Sequence, residues 1–304
     1  MGPSVHRTFR GALVLALVAA PVLLGCSRPD EAEERPSRLV AFATPEGCEL
    51  SPVAPRQMAG AYLRETEGPG IFDTVILRGT ENTNALAPAL RVDDAPVRPR
   101  PTGVLGRAIN TRPGTAVPVE RLEGVGGARG YILSYAGDGL SHMGLAVVGE
   151  TPAGAEMPTS GQLRLSGPAV LTLRGAGGED VALSGQVEAV VGFGSGTMAL
   201  RLSQIVAEDG RTPPFATITW SGLGLCGTRI VSTGRGSVRV TGEDGRIITP
   251  FGRDGAPTAA LSTLDGALTA GAARGDAPGG AGGVLMIQGD AASLRGGFAL
   301  RAGN

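Results

Sequence analysis

Residues Leu183–Leu202 read LSGQVEAVVGFGSGTMALRL. Val187, Ala189, Val191 and Phe193 take alternate positions around Glu188, and beyond a Gly-Ser-Gly break Met198, Leu200 and Leu202 alternate with Ala199, Arg201 and Ser203. A period of two sends successive side chains to opposite faces of a sheet. The stretch therefore predicts two half-buried strands joined by a tight turn.

The same signal recurs on both sides. Gln162–Ser166, Ala169–Arg174, Arg229–Ser232, Val284–Gln288 and Gly297–Arg301 read as strands, as do the segments carrying Ile218 with Trp220 and Val238 with Val240. Trp220 shares the alternation of Ile218, which makes it a core residue. Asp-Gly dipeptides at Asp138, Asp209, Asp244, Asp254 and Asp265 supply the positive-φ residues that tight hairpins need, so neighbouring strands should pair antiparallel. From Met157 to the C-terminus there is room for about eight strands, enough to close a sheet on itself and remove its edges. The fold class is all-β: an eight-stranded antiparallel up-and-down barrel preceded by a smaller β-rich domain. That domain covers residues 39–156, with candidate strands Thr74–Arg78, Tyr131–Tyr135 and Met143–Val148, the last two joined across Ala136–Ser141, and a proline-rich stretch at Val97–Pro101.

Composition agrees and excludes a good deal of chemistry. Among 304 residues there are 50 Gly and 22 Pro, with 42% hydrophobic residues, a mean hydropathy of +0.11 and a net charge of -1. Such a chain has the apolar material for a core and too little charge to stay unfolded. Every basic side chain but His6 and His142 is Arg, and Lys is absent. A phosphate loop with its Lys, a Schiff base and a multi-His metal centre all lack their residues, and no cofactor is implied. Near-neutral charge argues against nucleic acid as a partner.

The first 25 residues read as an address. Arg7 and Arg10 precede an apolar run, Ala12–Leu24, of about 13 residues, short of the ~20 that a membrane-spanning helix needs. It ends in Leu23-Leu24-Gly25-Cys26, which resembles the lipobox of bacterial lipoproteins. That resemblance implies cleavage before Cys26 and acylation of its thiol and new amino group, by palmitate among other chains. Ser27 after the cysteine favours the outer membrane by analogy with lipoprotein sorting. Residues 26–38 then form an acidic tether carrying Asp30, Glu31, Glu33 and Glu34.

Met157-Pro-Thr-Ser-Gly161, the Phe193-Gly-Ser-Gly-Thr197 phrase between alternating strands, and the closing Ser293–Ala302 stretch, SLRGGFALRA, together resemble the transferrin-binding protein B-like lipoproteins. The resemblance implies residues 157–304 as a barrel, residues 39–156 as its handle, a lipid anchor at the outer membrane, and action by binding a protein or solute ligand, with cell-surface display as one possibility. Partners on this reading include a TonB-type receptor or a surface-assembly translocon. A structural envelope lipoprotein without a soluble ligand, and a carboxylate-dependent hydrolase, are the alternatives.

Candidate chemical residues are few. His142 follows Ser141 in what reads as a loop, with no Gly-x-Ser-x-Gly elbow to pair with it. Glu179-Asp180, Glu208-Asp209 and Glu243-Asp244 are adjacent carboxylates, the latter two in Glu-Asp-Gly-Arg turns. Gly222–Gly227 fits GxGxxG but precedes a strand, where a dinucleotide site needs a helix N-terminus. Cys48 and Cys226 are left once Cys26 is lipidated, and in an oxidising compartment they form a candidate disulfide.

Overall fold

The computed structural model describes residues 57–65, 72–80, 89–92, 95–99, 105–106, 112–137, 140–152, 157–232, 237–252, 261–271 and 278–303. The signal peptide, the tether, Cys26, Cys48 and the Asp138 and Asp254 turns lie outside them. The described residues fall within one compact unit, Pro36–Asn304, and form two antiparallel sheets.

The second sheet in the chain is the barrel. Its strands are β9 (Gln162–Gly175), β10 (Asp180–Gly192), β11 (Thr197–Ala207), β12 (Thr217–Cys226), β13 (Arg229–Val231), β14 (Ser237–Thr241), β15 (Ile247–Ile248), β16 (Leu261–Thr269), β17 (Gly280–Gln288) and β18 (Ala292–Ala302). β9 to β13 pair in chain order, β13 pairs with β16, and β16 to β18 return to β9. Eight strands thus close the ring, as expected from the spacing. β14 pairs with the first half of β12 and carries β15 as a short flap. One set of alternate side chains from each strand points inward to a single apolar cluster, including Leu165, Leu171, Val187, Val191, Leu200, Trp220, Leu264, Leu285, Leu294 and Phe298.

Two readings of the barrel sequence are corrected. β9 is one strand and not two, because Pro168 does not stop it. Its ladder to β10 runs through Pro168 opposite Gln186, while the ladder to β18 lapses at Gly167–Pro168, where the missing N–H falls. Asp265-Gly266 is not a turn. Both residues lie inside β16, where Gly266 faces Gly283 of β17 and Asp265 pairs with Arg229.

The first sheet holds β1 (Gln57–Glu65), β2 (Phe72–Thr80), β3 (Ala89–Val92), β4 (Ala95–Pro99), β5 (Leu105–Gly106), β6 (Arg112–Pro118), β7 (Ala128–Gly137) and β8 (Leu140–Glu150), in the order β5-β4-β3-β2-β1-β8-β7-β6. It has more strands than the sequence signals, and its central β1 carries no clean alternation because Gly60, Ala61, Tyr62 and Leu63 are all buried. Between β6 and β7 lies a 3-10 turn, Glu120–Leu122, the one helical element among the described residues.

This sheet clasps the outside of the barrel along β16–β18. Ala61, Leu63, Ala128 and Val147 pack against Val284, Met286 and Ala299, with Leu122 buried beside them and Leu145 and Val170 at the margin. Each large apolar side chain buried there contributes roughly 1.5–3 kcal/mol. Backbone and side chain tie the same seam: the Ala270 N–H donates to the Glu150 carbonyl at 2.8 Å, and the buried Thr269 hydroxyl donates to the Gly126 carbonyl. Close approach requires glycine on the wall. A Cβ added to Gly282 would lie 2.8 Å from Val147 Cγ1 and 2.9 Å from Ala128 Cβ.

Candidate binding surface

Among the described residues the barrel interior holds one apolar cluster, with large side chains toward both ends. At one end Met157 and Phe193 are buried in the core cluster, and the Phe193 N–H donates to the Gly161 carbonyl at 3.1 Å. Two of the three phrases that carry the family resemblance therefore meet there. At the other end the rings of Phe215 and Phe251 close the barrel with centroids 5.8 Å apart. A cylinder packed with Leu, Val and aromatic side chains is a core and not a pore.

The Phe215–Phe251 end carries the acidic pairs. Asp180 opens β10 and accepts from Arg295 at 2.7 Å, with Arg174 at 3.9 Å. Glu179, in the preceding turn, lies 3.4 Å from Arg211, which also pairs with Asp209 at 2.8 Å and so links two separate loops. Glu208 meets Arg121 of the 3-10 turn at 3.4 Å, joining a barrel loop to the first sheet. Exposed pairs of this kind contribute about 0–1 kcal/mol each to stability. Their consequence is positional: they link the loops 176–179 and 208–216 and the 3-10 turn in one rim. Asp244 stands apart, holding the β14–β15 turn through the Arg246 N–H at 3.0 Å.

The remaining candidates fall elsewhere. His142 is not in a loop but inside β8, opposite Tyr135, because β7 and β8 run on and leave only 138–139 between them. Gly222–Gly227 lies on and just past β12. Cys226, the last residue of that strand, is disulfide-bonded, and Cys48 lies outside the described residues. In β7, burial raises the phenol of Tyr131 above its ordinary range, opposed by the charge and hydrogen bond of Arg129. Among the described residues no cluster of His, Cys, Asp and Glu could hold a metal ion, and no helix is long and apolar enough to cross a membrane.

These elements define an all-β protein in which an eight-stranded barrel with an apolar core carries a second sheet on its outer wall. No protein-family model and no curated protein sequence matches the chain. Among solved structures it is similar to a variant of the vaccine antigen transferrin binding protein B from Haemophilus parasuis Hp5, at 15% identity and a TM-score of 0.45, over 81% of this chain and 44% of that one. It is also similar to transferrin binding protein B from serogroup B Neisseria meningitidis, at 11% identity and a TM-score of 0.35, over 82% of this chain and 64% of that one. The haemoglobin receptor HpuA from Kingella denitrificans is matched at 13% identity and a TM-score of 0.35, over 84% of this chain and 89% of that one. The chain spans under half the length of the intact, two-lobed transferrin binding protein B that it also resembles.

Proposed function

We propose that this chain is a lipid-anchored lipoprotein of the bacterial outer membrane that acts by binding, with the acyl chains on Cys26 and the ligand held on the outside of the barrel. The observation that carries the binding half is a barrel with an apolar core whose loops are joined by ion pairs to one another and to the 3-10 turn of the clasping sheet. A rim ordered before contact loses less freedom when a partner docks, which is how a polar surface gains affinity. A protein is the ligand this rim suits best, since its charged groups come from separate loops and spread over a surface wider than a small solute covers. The anchoring half rests on Leu23-Leu24-Gly25-Cys26. In this reading the bond at Cys226 goes to Cys48, the cysteine that lipidation leaves available.

Metabolic labelling with palmitate, followed by membrane fractionation and protease shaving of whole cells, tests it. The wild-type chain is expected to carry label and to sediment with outer membrane, and Cys26→Ala to lose the label and enter the soluble fraction. A wild-type chain without label sinks the anchor. Complete protection from protease in intact cells places the ligand in the periplasm and removes surface display.

A further inference from the structure

Arginines with described side chains fall into two groups. Arg121, Arg174, Arg211, Arg229, Arg246 and Arg295 each sit in an ion pair, and Arg129 is hydrogen-bonded to Tyr131. Arg164, Arg201, Arg239 and Arg301 take part in no ion pair among the described residues, and all four are exposed. They lie far apart in sequence, yet strand register brings them to one wall. Arg301 of β18 stands opposite Ser166 of β9, Ser166 opposite Glu188 of β10, Glu188 opposite Arg201 of β11, Arg201 opposite Thr219 of β12, and Thr219 opposite Arg239 of β14. Directly opposed residues share a face, so this is one transverse row on the barrel's exterior. It crosses five strand spacings, about 24 Å along the curved wall. Arg164 lies two residues along β9 from Ser166, on the same face.

Between Arg164 and Arg201 the wall is hollowed. The depression has a volume of about 390 Å³, and Ser166, Glu188, Val190, Ala199, Thr219 and Gly303 line it together with the two arginines. Four cations and one anion concentrated here, in a chain whose net charge is only -1, make this wall locally positive.

From this juxtaposition we propose that the wall is a binding site for an acidic polysaccharide, laid across the strands with one sugar ring seated in the hollow. Guanidinium forks pair with carboxylate or sulfate through two parallel hydrogen bonds, and the hydroxyls of Ser166 and Thr219 stand between them to meet sugar hydroxyls. A single small anion would engage one or two of these arginines and leave the rest of the row unused. Single-stranded nucleic acid is disfavoured because the row offers no aromatic ring on which a base could stack. A protein partner is disfavoured because the row lacks the large apolar anchors of an interface core. Glu188, central in the row, opposes the ligand's charge and limits its affinity. The site needs neither the lipid anchor nor the loop rim.

Titration of the full-length protein with an oligogalacturonate long enough to span the row, by calorimetry at low and moderate salt, tests it. Binding that weakens with added salt is expected, with none for a neutral dextran of equal length. Arg164→Gln with Arg201→Gln should weaken binding at least tenfold. Arg129→Gln with Arg246→Gln removes the same charge elsewhere and should change it less than twofold. Glu188→Gln should tighten it, a gain that misfolding cannot mimic. The proposal is overturned if wild type does not bind at low salt, or if both double variants lose equally. It is equally overturned if single-stranded DNA, polyglutamate or vesicles of anionic lipid bind more tightly at the same salt.

Discussion

β10 and β17 are two walls of one barrel and are built differently. Along β10 buried residues alternate with less buried ones, Leu183, Val187, Ala189 and Val191 pointing in while Gln186 and Glu188 meet solvent. Along β17 every residue from Gly280 to Ile287 is buried. The inner faces are alike. The outer faces differ because the first sheet lies on β17, and what lies outside a strand selects its composition as firmly as the core does. Where another sheet presses, the wall offers Gly282, Val284, Met286, Gly297 and Ala299; where water does, it offers Ser, Thr, Gln and the arginines of the row.

The largest expected effect tests whether both faces of β17 are core. Leu285 points into the barrel and Met286 into the seam, and both are at most 5% exposed. Truncation of either to alanine should cost about 2–5 kcal/mol in urea unfolding. On β10 only the inward residue should matter: Val191→Ala is expected to destabilise clearly, and Gln186→Ala to stay within about 0.5 kcal/mol. If Met286→Ala proves as mild as Gln186→Ala, the two sheets touch without sharing a core, and the contrast between the walls fails.

A second test adds volume instead of removing it. Gly282→Val places a branched side chain where even a Cβ comes within 2.8 Å of Val147, so the clasping sheet must shift and stability should fall by roughly 1–3 kcal/mol. Ala199→Val makes a larger strand residue on the open wall, where nothing packs outside, and should leave the melting temperature nearly unchanged. Equal losses at the two positions would mean that the open wall is covered as well.

The same contrast explains what could be read from the chain. β10 and β11 are legible because one face is wet, which writes a period of two into the residues. β1 is not, since Gly60–Leu63 is buried on both faces and nothing alternates. Asp265-Gly266 carries a hairpin's local signature, and only pairing with β17 shows that its glycine is there for a close strand contact, Gly266 Cβ being placed 2.5 Å from the Gly282 carbonyl oxygen. Turn chemistry exposed Glu208-Asp209 of the rim, because Glu-Asp-Gly-Arg is local. The arginine row was hidden: its members come from separate strands, and no window of sequence contains the register that aligns them. The clasp itself was invisible for a related reason, since nothing in β17's apolar run says whether its outer cover is a helix, a sheet or a second copy.

The smallest effect concerns the open wall alone. Gln204 in β11 is exposed and has a φ of 51°, the one non-glycine residue with positive φ among those described. It sits at a bulge, where pairing to β10 shifts between Ser184 and Gln186. The bulge has a function in the fold: Leu200 and Leu202 point inward before it and Ile205 after it, so the extra residue resets the phase and keeps Ile205 in the core. What the position requires is the left-handed backbone, and a glutamine pays about 1 kcal/mol to adopt it. Gln204→Gly should relieve that strain, less the greater freedom glycine has in the unfolded chain, for a net gain of about 0.5 kcal/mol in chemical unfolding. Gln204→Val should lose stability, because a β-branched side chain clashes hardest at positive φ. Were valine tolerated as well as glycine, the bulge would be free to slip, and the regular alternation that sets the open wall apart from the covered one would not be fixed by this residue.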